Sequence, residues 1–186
     1  PMNEENSMAS SADLEKTAAA APDAVVGADA PFASPAPTAT ARVVAYARDR
    51  LVAFAPHVTQ ELIENPQWMT LPGGAYYAYG LLRWQNRMIP FIHLESLLQA
   101  YPVFDAKAVV PYALVLAYQT APGVPLQYGA IAVAGIPYAQ TVSDADFSTL
   151  PTDSDLWPEL AISCFRQVGQ ITPILDVAKI FSRYHG

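Results

Sequence analysis

The chain has 186 residues, of which 52% are hydrophobic and only 15% are charged, and its formal net charge is −7. This composition is typical of a well-buried, strand-rich domain, and the acidic balance argues against a protein that binds the phosphate backbone of nucleic acids. A single cysteine excludes an internal disulfide and the usual multi-cysteine zinc sites.

The apolar runs are much shorter than the roughly 20 residues of a membrane helix. Glu4 and Glu5 stand where a signal peptide would carry positive charge, and no apolar core follows them. We therefore expect a cytoplasmic protein without direct insertion into a membrane.

The first 40 residues differ from the rest, because they are rich in Ala, Pro, Ser and Asp and contain few large apolar side chains. Six acidic residues and one lysine give this segment a net charge of −5. Such a segment cannot bury enough apolar surface to offset the entropy lost on ordering it. The sequence predicts a disordered acidic tail over residues 1–40, acting as a tether or a docking peptide, and one domain over residues 41–184.

The central stretch of the domain is residues 71–98, which predicts two strands and a short helix. Residues 76–85 and 88–94 have the aromatic and branched side chains of strands, and Asn86 between them tolerates the positive φ of a hairpin turn. Pro90 has no N–H for a strand ladder, so we expect it at an edge or a bulge. The helix is indicated by three leucines at i, i+3 and i+4, namely Leu94, Leu97 and Leu98.

The remaining elements are predicted from apolar runs and from the Gly and Pro residues that interrupt them. The segments predicted as strands are 42–46, 51–55, 109–118, 126–133, 138–142, 161–168 and 171–175, and a helix is predicted over 176–184. The acidic segment 143–159 is predicted to be a connection. Residues 169–181 repeat the order of residues 86–98, which is a turn, a strand with a proline, a polar residue and a helix. Two similar half-barrels that share one core would explain this repeat.

The central stretch, LPGGAYYAYGLLRWQNRMIPFIHLESLL, resembles the CheW-like coupling domain of bacterial chemosensory arrays, whose central pattern is roughly LPGAPPYVLGLINLRGRVVPVIDLRRLL. The stretch VTQELI at 58–63 also resembles the family, with Glu61 on an acidic position. Two departures stand out: Arg83-Trp84-Gln85-Asn86 replaces Asn-Leu-Arg-Gly, and His93 replaces an Asp. The matching positions are Leu71, Pro72, Gly73, Tyr77, Gly80, Leu81, Leu82, Arg87, Pro90, Ile92, Leu94, Leu97 and Leu98.

The resemblance implies a mainly β fold of two small SH3-like five-stranded β-barrels, packed around a shared core with short helices. It also implies a non-enzymatic adaptor that joins methyl-accepting chemoreceptors to a CheA-type histidine kinase at membrane-associated receptor arrays, for flagellar or type IV pilus (twitching) motility. Neither a cofactor nor a metal nor nucleic acid is expected. We expect structural roles for Gly80 and Pro90, and partner contacts from Glu61, Tyr79, Arg83, Trp84, Gln85 and Arg87.

Alternation along a strand places Arg83, Gln85 and Arg87 on one face, with Leu82 and Trp84 pointing toward the core or a groove. The family's partner-contacting Arg maps to Gln85. We therefore expect Arg83 and Arg87 to supply the polar part of the partner contact, for instance to carboxylates.

Two alternatives stay open at this point. The altered turn is compatible with a divergent CheW-like protein that fills array positions without activating a kinase. A different class of protein, a hydrolase, would use Cys164 or the acidic run that includes Asp153 and Asp155. No base accompanies Cys164 in the sequence, and a buried structural thiol is the favoured interpretation. A solvated loop is the favoured interpretation of the acidic run.

Overall fold

A computed structural model describes residues 36–105 and 108–185. The strands of the described residues are β1 (Thr38–Ala47), β2 (Arg50–Phe54), β3 (Thr59–Glu64), β4 (Trp68–Met69), β5 (Ala78–Trp84), β6 (Arg87–Ile92), β7 (Tyr112–Tyr118), β8 (Gln127–Val133), β9 (Tyr138–Ser143), β10 (Ala161–Gln167) and β11 (Gln170–Leu175). The helices are α1 (Leu94–Gln99), α2 (Trp157–Leu160) and α3 (Val177–Ser182), with three short 3₁₀ turns at Pro56–Val58, Asp144–Asp146 and Arg183–His185.

The strands form two sheets. One has five strands in the order β10-β11-β2-β1-β9, and the other has six in the order β3-β7-β8-β6-β5-β4. This mainly β architecture with short helices confirms the predicted fold class. The sixth strand of the second sheet is the two-residue edge strand β4, which pairs only with β5.

Three groups of buried side chains fill the domain. One lies within the five-stranded sheet around Phe165, and a second lies within the six-stranded sheet around Leu82 and Phe91. The third and largest group joins residues of both sheets to the helices, and it includes Phe54, Leu116 and Phe181. A shared core between two small sheets explains why neither half needs a large core of its own.

The internal repeat predicted from the sequence is present in three dimensions. The hairpins β5–β6 and β10–β11 each contain an irregularity at the start of their first strand, between Ala78 and Gly80 and between Ala161 and Ser163. After its proline, the second strand of each hairpin pairs in parallel with another strand, β6 with β8 and β11 with β2. A short N-capped helix then follows in both units.

Pro90 lies in an interior strand, but at a point where that strand has a single neighbour. The antiparallel pairing with β5 includes Pro90, whereas the parallel pairing with β8 begins only at Phe91. Pro173 in β11 has an equivalent position. It pairs with Cys164 of β10, whereas the parallel pairing of β11 with β2 involves the next residue, Ile174. Each proline therefore stands on a locally open edge, where its missing N–H leaves no ladder bond unmade.

Residues 1–35 of the tail predicted over residues 1–40 lie outside the described residues. β1 begins at Thr38, three residues before the predicted start of the domain, and Thr38, Ala39 and Thr40 pair with β9. No helix within residues 36–105 and 108–185 is long and apolar enough to cross a membrane.

Candidate functional site

The β5–β6 hairpin ends in a two-residue turn. Gln85 and Asn86 have φ values of 44° and 61°, the left-handed pair that a tight type I′ turn requires. Trp84 therefore faces Arg87, and Arg83 faces Met88. Because residues directly opposite each other in an antiparallel pair share a face, Arg83 and Arg87 lie on opposite faces of the hairpin. The prediction that Arg83, Gln85 and Arg87 share one face was wrong, since counting by twos along a strand does not carry through a two-residue turn.

The outer side of this hairpin is an apolar surface that contains one cation. Met69, Leu81 and Pro90 form one cross-strand row over β4, β5 and β6, and Arg83 and Met88 form the next. We call these five residues the outer hairpin face. Met69 and Met88 are about half exposed, at 54% and 48%. Large apolar side chains that are exposed on the same face of a sheet are typical of a surface that binds another protein.

The inner side of the hairpin is buried, as predicted for Leu82 and Trp84. The Trp84 indole Nε1 donates a hydrogen bond of 2.6 Å to Oε2 of Glu61 on β3, and its ring packs on Tyr128 with centroids 4.8 Å apart. The guanidinium of Arg87 lies 5.3 Å from the centroid of the same Tyr128 ring. The structure thus brings together three of the predicted partner residues, Glu61, Trp84 and Arg87.

Tyr79 does not join this group. Its side chain is 5% exposed, stacks on Phe91 with centroids 4.9 Å apart and lies under Phe104 at 4.2 Å. Burial raises the pKa of the Tyr79 hydroxyl to about 12. In this conformation Tyr79 is a core residue, and only a small part of its side chain is accessible to a partner.

His93 caps helix α1 at the position where Asp176 caps α3. The Nδ1 atom of His93 accepts the Ser96 N–H at 3.1 Å and lies 2.8 Å from Ser96 Oγ, which in turn accepts the Val103 N–H at 3.0 Å. A backbone N–H can only donate, so Nδ1 is unprotonated and the ring proton is assigned to Nε2. Burial lowers the pKa of His93 to about 4, which keeps this acceptor available at neutral pH.

A groove separates β1 of the five-stranded sheet from β3 and β7 of the other sheet. It has a volume of about 260 Å³. Glu61 on its wall links the groove to the hairpin through Trp84. Ile136 at its mouth is 68% exposed and was not singled out from the sequence, because only the tertiary arrangement shows that it stands beside β3. The groove is lined by Arg42, Thr59, Gln60, Glu61, Leu62, Leu114, Ile136 and Pro137.

The features considered for other chemistry have structural roles. Cys164 is buried within β10, and burial raises the pKa of its thiol, which is the opposite of what a nucleophile requires. Asp153 accepts hydrogen bonds from Arg50 and from the Trp157 indole, at 2.6 and 2.7 Å. Over residues 36–105 and 108–185, no group of three or more His, Cys, Asp or Glu side chains could hold a metal ion.

The fold and the site together define a class of protein. Two small β-sheets share one core, and the distinctive surface is an exposed apolar hairpin beside a groove rather than a set of reactive groups. These are the features of a binding module. The family model of the CheW-like domain matches residues 43–185, and the chain belongs to this family.

A solved structure with a similar fold is the scaffolding protein TtCheW from Thermoanaerobacter tengcongensis. It superposes with a TM-score of 0.59 at 13% sequence identity, covering 78% of this chain and 88% of that one. No curated protein sequence matches the chain. Membership of the CheW-like family confirms the expectation that this chain is not an enzyme, and it removes the hydrolase alternative.

Proposed function

We propose that this chain couples methyl-accepting chemoreceptors to a CheA-type histidine kinase in a cytoplasmic chemosensory array, with flagellar or type IV pilus motility as the output. Membership of the CheW-like family supports an adaptor of chemotaxis signalling. The observation that carries the proposal further is the outer hairpin face, a half-exposed apolar surface with Arg83 among its side chains.

This face is chemically suited to a protein partner. Met69 and Met88 have flexible, polarizable side chains that can adapt to an opposing apolar surface. Arg83 is exposed, and the ion pairs of the described residues, Arg50–Asp153 and Arg183–Glu159, do not include it. A partner that offers apolar side chains and one carboxylate would match this surface, because arginine binds a carboxylate through two parallel hydrogen bonds.

The groove beside β3 provides a second contact region. An extended or helical segment lying between the two sheets could contact both Ile136 and the β3 residues around Glu61. An adaptor must bind two different proteins at once, and two separate surfaces, the outer hairpin face and the groove, would allow this. Which of the two proteins occupies which surface is decided by the binding experiment.

The experiment measures binding of the purified chain to a receptor cytoplasmic tip and to the CheA-type kinase of the same organism by calorimetry. The variant Met69→Ser with Met88→Ser is expected to lose at least about 1 kcal/mol of affinity for one of them, the level that separates hot-spot residues from others. Ile162→Ser is the matched control, because Ile162 is 68% exposed on the five-stranded sheet, away from the hairpin. Circular dichroism first verifies that each variant is folded.

Three outcomes distinguish the possibilities. Binding of both proteins supports the coupling function. Binding of the receptor without the kinase supports the array-filling alternative, for which the replacement of the family Arg by Gln85 is the motivating observation. Binding of neither protein contradicts the proposal.

A further inference from the structure

Glu61, Trp84, Tyr128 and Arg87 form a connected group on the inner side of the β5–β6 hairpin. Trp84 and Arg87 are cross-strand neighbours, and both lie against the ring of Tyr128 from β8. Glu61 accepts the only polar hydrogen of the indole at 2.6 Å. Trp84 is 7% exposed, while Glu61 and Arg87 are exposed to solvent. The group therefore runs from a buried indole to an accessible guanidinium.

The hydrogen bond from Trp84 to Glu61 joins distant parts of one sheet. β3 and β5 are separated by β7, β8 and β6 in the strand order, so this contact spans the curled sheet rather than a neighbouring strand. A hydrogen bond to an ionised carboxylate is about twice as strong as one between neutral groups. It fixes the rotation of the indole, and with it the surface against which Tyr128 packs.

Tyr128 in turn supports Arg87. A guanidinium within about 6 Å of a ring centroid is attracted to the ring face, and the distance here is 5.3 Å. The ion pairs recorded for the described residues do not include Arg87. A cation that is held in place before binding loses less entropy when it meets an anion than a mobile side chain does. Arg83, on the opposite face, has no ring contact of this kind among those recorded for the described residues.

We infer that Glu61 is a positioning residue, which through Trp84 and Tyr128 holds Arg87 as a preformed binding group for a carboxylate of the partner. This inference rests on the proposed adaptor function and specifies the chemistry of one contact. It assigns Glu61 an indirect role, so a partner need not touch Glu61.

The test is a double-mutant cycle on the full chain, with the receptor tip and the kinase as the two titrants. Arg87→Gln is expected to weaken the binding of one titrant about 10-fold, and Glu61→Gln about 3- to 5-fold. In the Arg87→Gln background, Glu61→Gln should have less than about a 2-fold effect. Trp84→Phe, which removes the indole donor and keeps an aromatic ring, should behave like Glu61→Gln. Arg166→Gln, an exposed site on β10 with the same change in net charge, is the control.

A spectroscopic readout accompanies the binding data. The indole proton of Trp84 is expected to shift upfield in the proton NMR spectrum of Glu61→Gln, because its acceptor loses its charge. Additive effects of Glu61→Gln and Arg87→Gln would show that Glu61 touches the partner directly and would overturn the inference. Unchanged affinity of Arg87→Gln, with wild-type binding intact, would overturn it while leaving the adaptor function standing. Failure of the wild-type chain to bind either titrant would remove both.

Discussion

Gly80 shows how one residue can fix the geometry of the candidate site. Its φ is +134°, and a Cβ at this position would overlap the carbonyl group of Met69 and approach Thr70 Cα at 2.9 Å. The absence of a side chain thus allows the edge strand β4 to pack against β5, and β4 contributes Met69 to the outer hairpin face. The structural role expected for Gly80 is therefore a close backbone approach, at a point where the pairing of β5 with β6 is irregular.

Gly80→Ala is therefore expected to destabilise the protein by at least about 2 kcal/mol, through backbone strain and displacement of β4. The measurement is urea unfolding at neutral pH. Gly135→Ala is the matched control, because a Cβ at Gly135 would meet nothing within 4 Å. Equal stability of the two variants would mean that β4 can shift without cost, and the placement of Met69 would then need revision.

His93 makes the stability of the fold depend on pH. Its pKa is lowered to about 4 in the folded chain, from an ordinary value of 6.5, so the folded protein prefers the neutral ring. As the pH falls from 6.5 toward 4, the unfolded chain takes up a proton that the folded chain does not. The contribution of His93 to the free energy of unfolding is complete above pH 6.5, and it decreases on acidification by no more than roughly 1.4 kcal/mol per pH unit.

His93→Asp provides the comparison for this effect. A carboxylate can accept the Ser96 N–H as Asp176 accepts two N–H groups at the start of α3. We expect the wild-type free energy of unfolding to fall more steeply between pH 7 and pH 5 than that of His93→Asp, when both are measured by urea titration. Parallel pH profiles would show that the pKa of His93 is not lowered in the folded chain.

At the scale of secondary structure elements, local sequence signals predicted the repeated hairpins but not their faces. The order of turn, strand with a proline, polar residue and helix could be predicted because each step depends on nearby residues. Whether Arg83 and Arg87 share a face depends on the length of the turn between them, because one added or removed turn residue reverses the faces. The sequence pattern did not determine that length. The helix α2 was missed because it has four residues and follows several acidic and proline positions, yet it carries Trp157, which is 1% exposed.

The second hairpin offers a test at the same scale, in its own two-residue turn. Val168 has a φ of +49° and is fully exposed, an unfavourable combination for a β-branched residue. Val168→Asn should raise the free energy of unfolding by about 1 kcal/mol, because Asn adopts left-handed conformations at lower cost. Gln85→Asn in the first hairpin should gain less, because Gln is not β-branched. A melting temperature that is unchanged or lower in Val168→Asn would indicate that Val168 makes a contact worth more than its backbone strain.

For the whole molecule, the family resemblance predicted two small β-units with a shared core, and the sheets and the matched family confirm this. The pairings that build the sheets, such as β1 with β9 and the parallel pairs β6–β8 and β11–β2, join residues distant in sequence and leave no local signature. The outer hairpin face belongs to the same category, because Met69 meets Leu81 and Pro90 only through such pairing.

The boundary between tail and domain can be tested by truncation. Removal of residues 1–35 is expected to change the melting temperature by less than about 4 °C, roughly 1 kcal/mol for a domain of this size, because the segment carries little apolar surface. Removal of residues 1–42 deletes the pairing of Thr38–Arg42 with β9 and the buried Ala41, so it should lower the melting temperature well beyond that limit. A large decrease in melting temperature on removal of residues 1–35 would mean that the tail contributes to the stability of the fold. An unchanged melting temperature on removal of residues 1–42 would mean that the first half of β1 is dispensable, and that the five-stranded sheet is held by β2, β10 and β11.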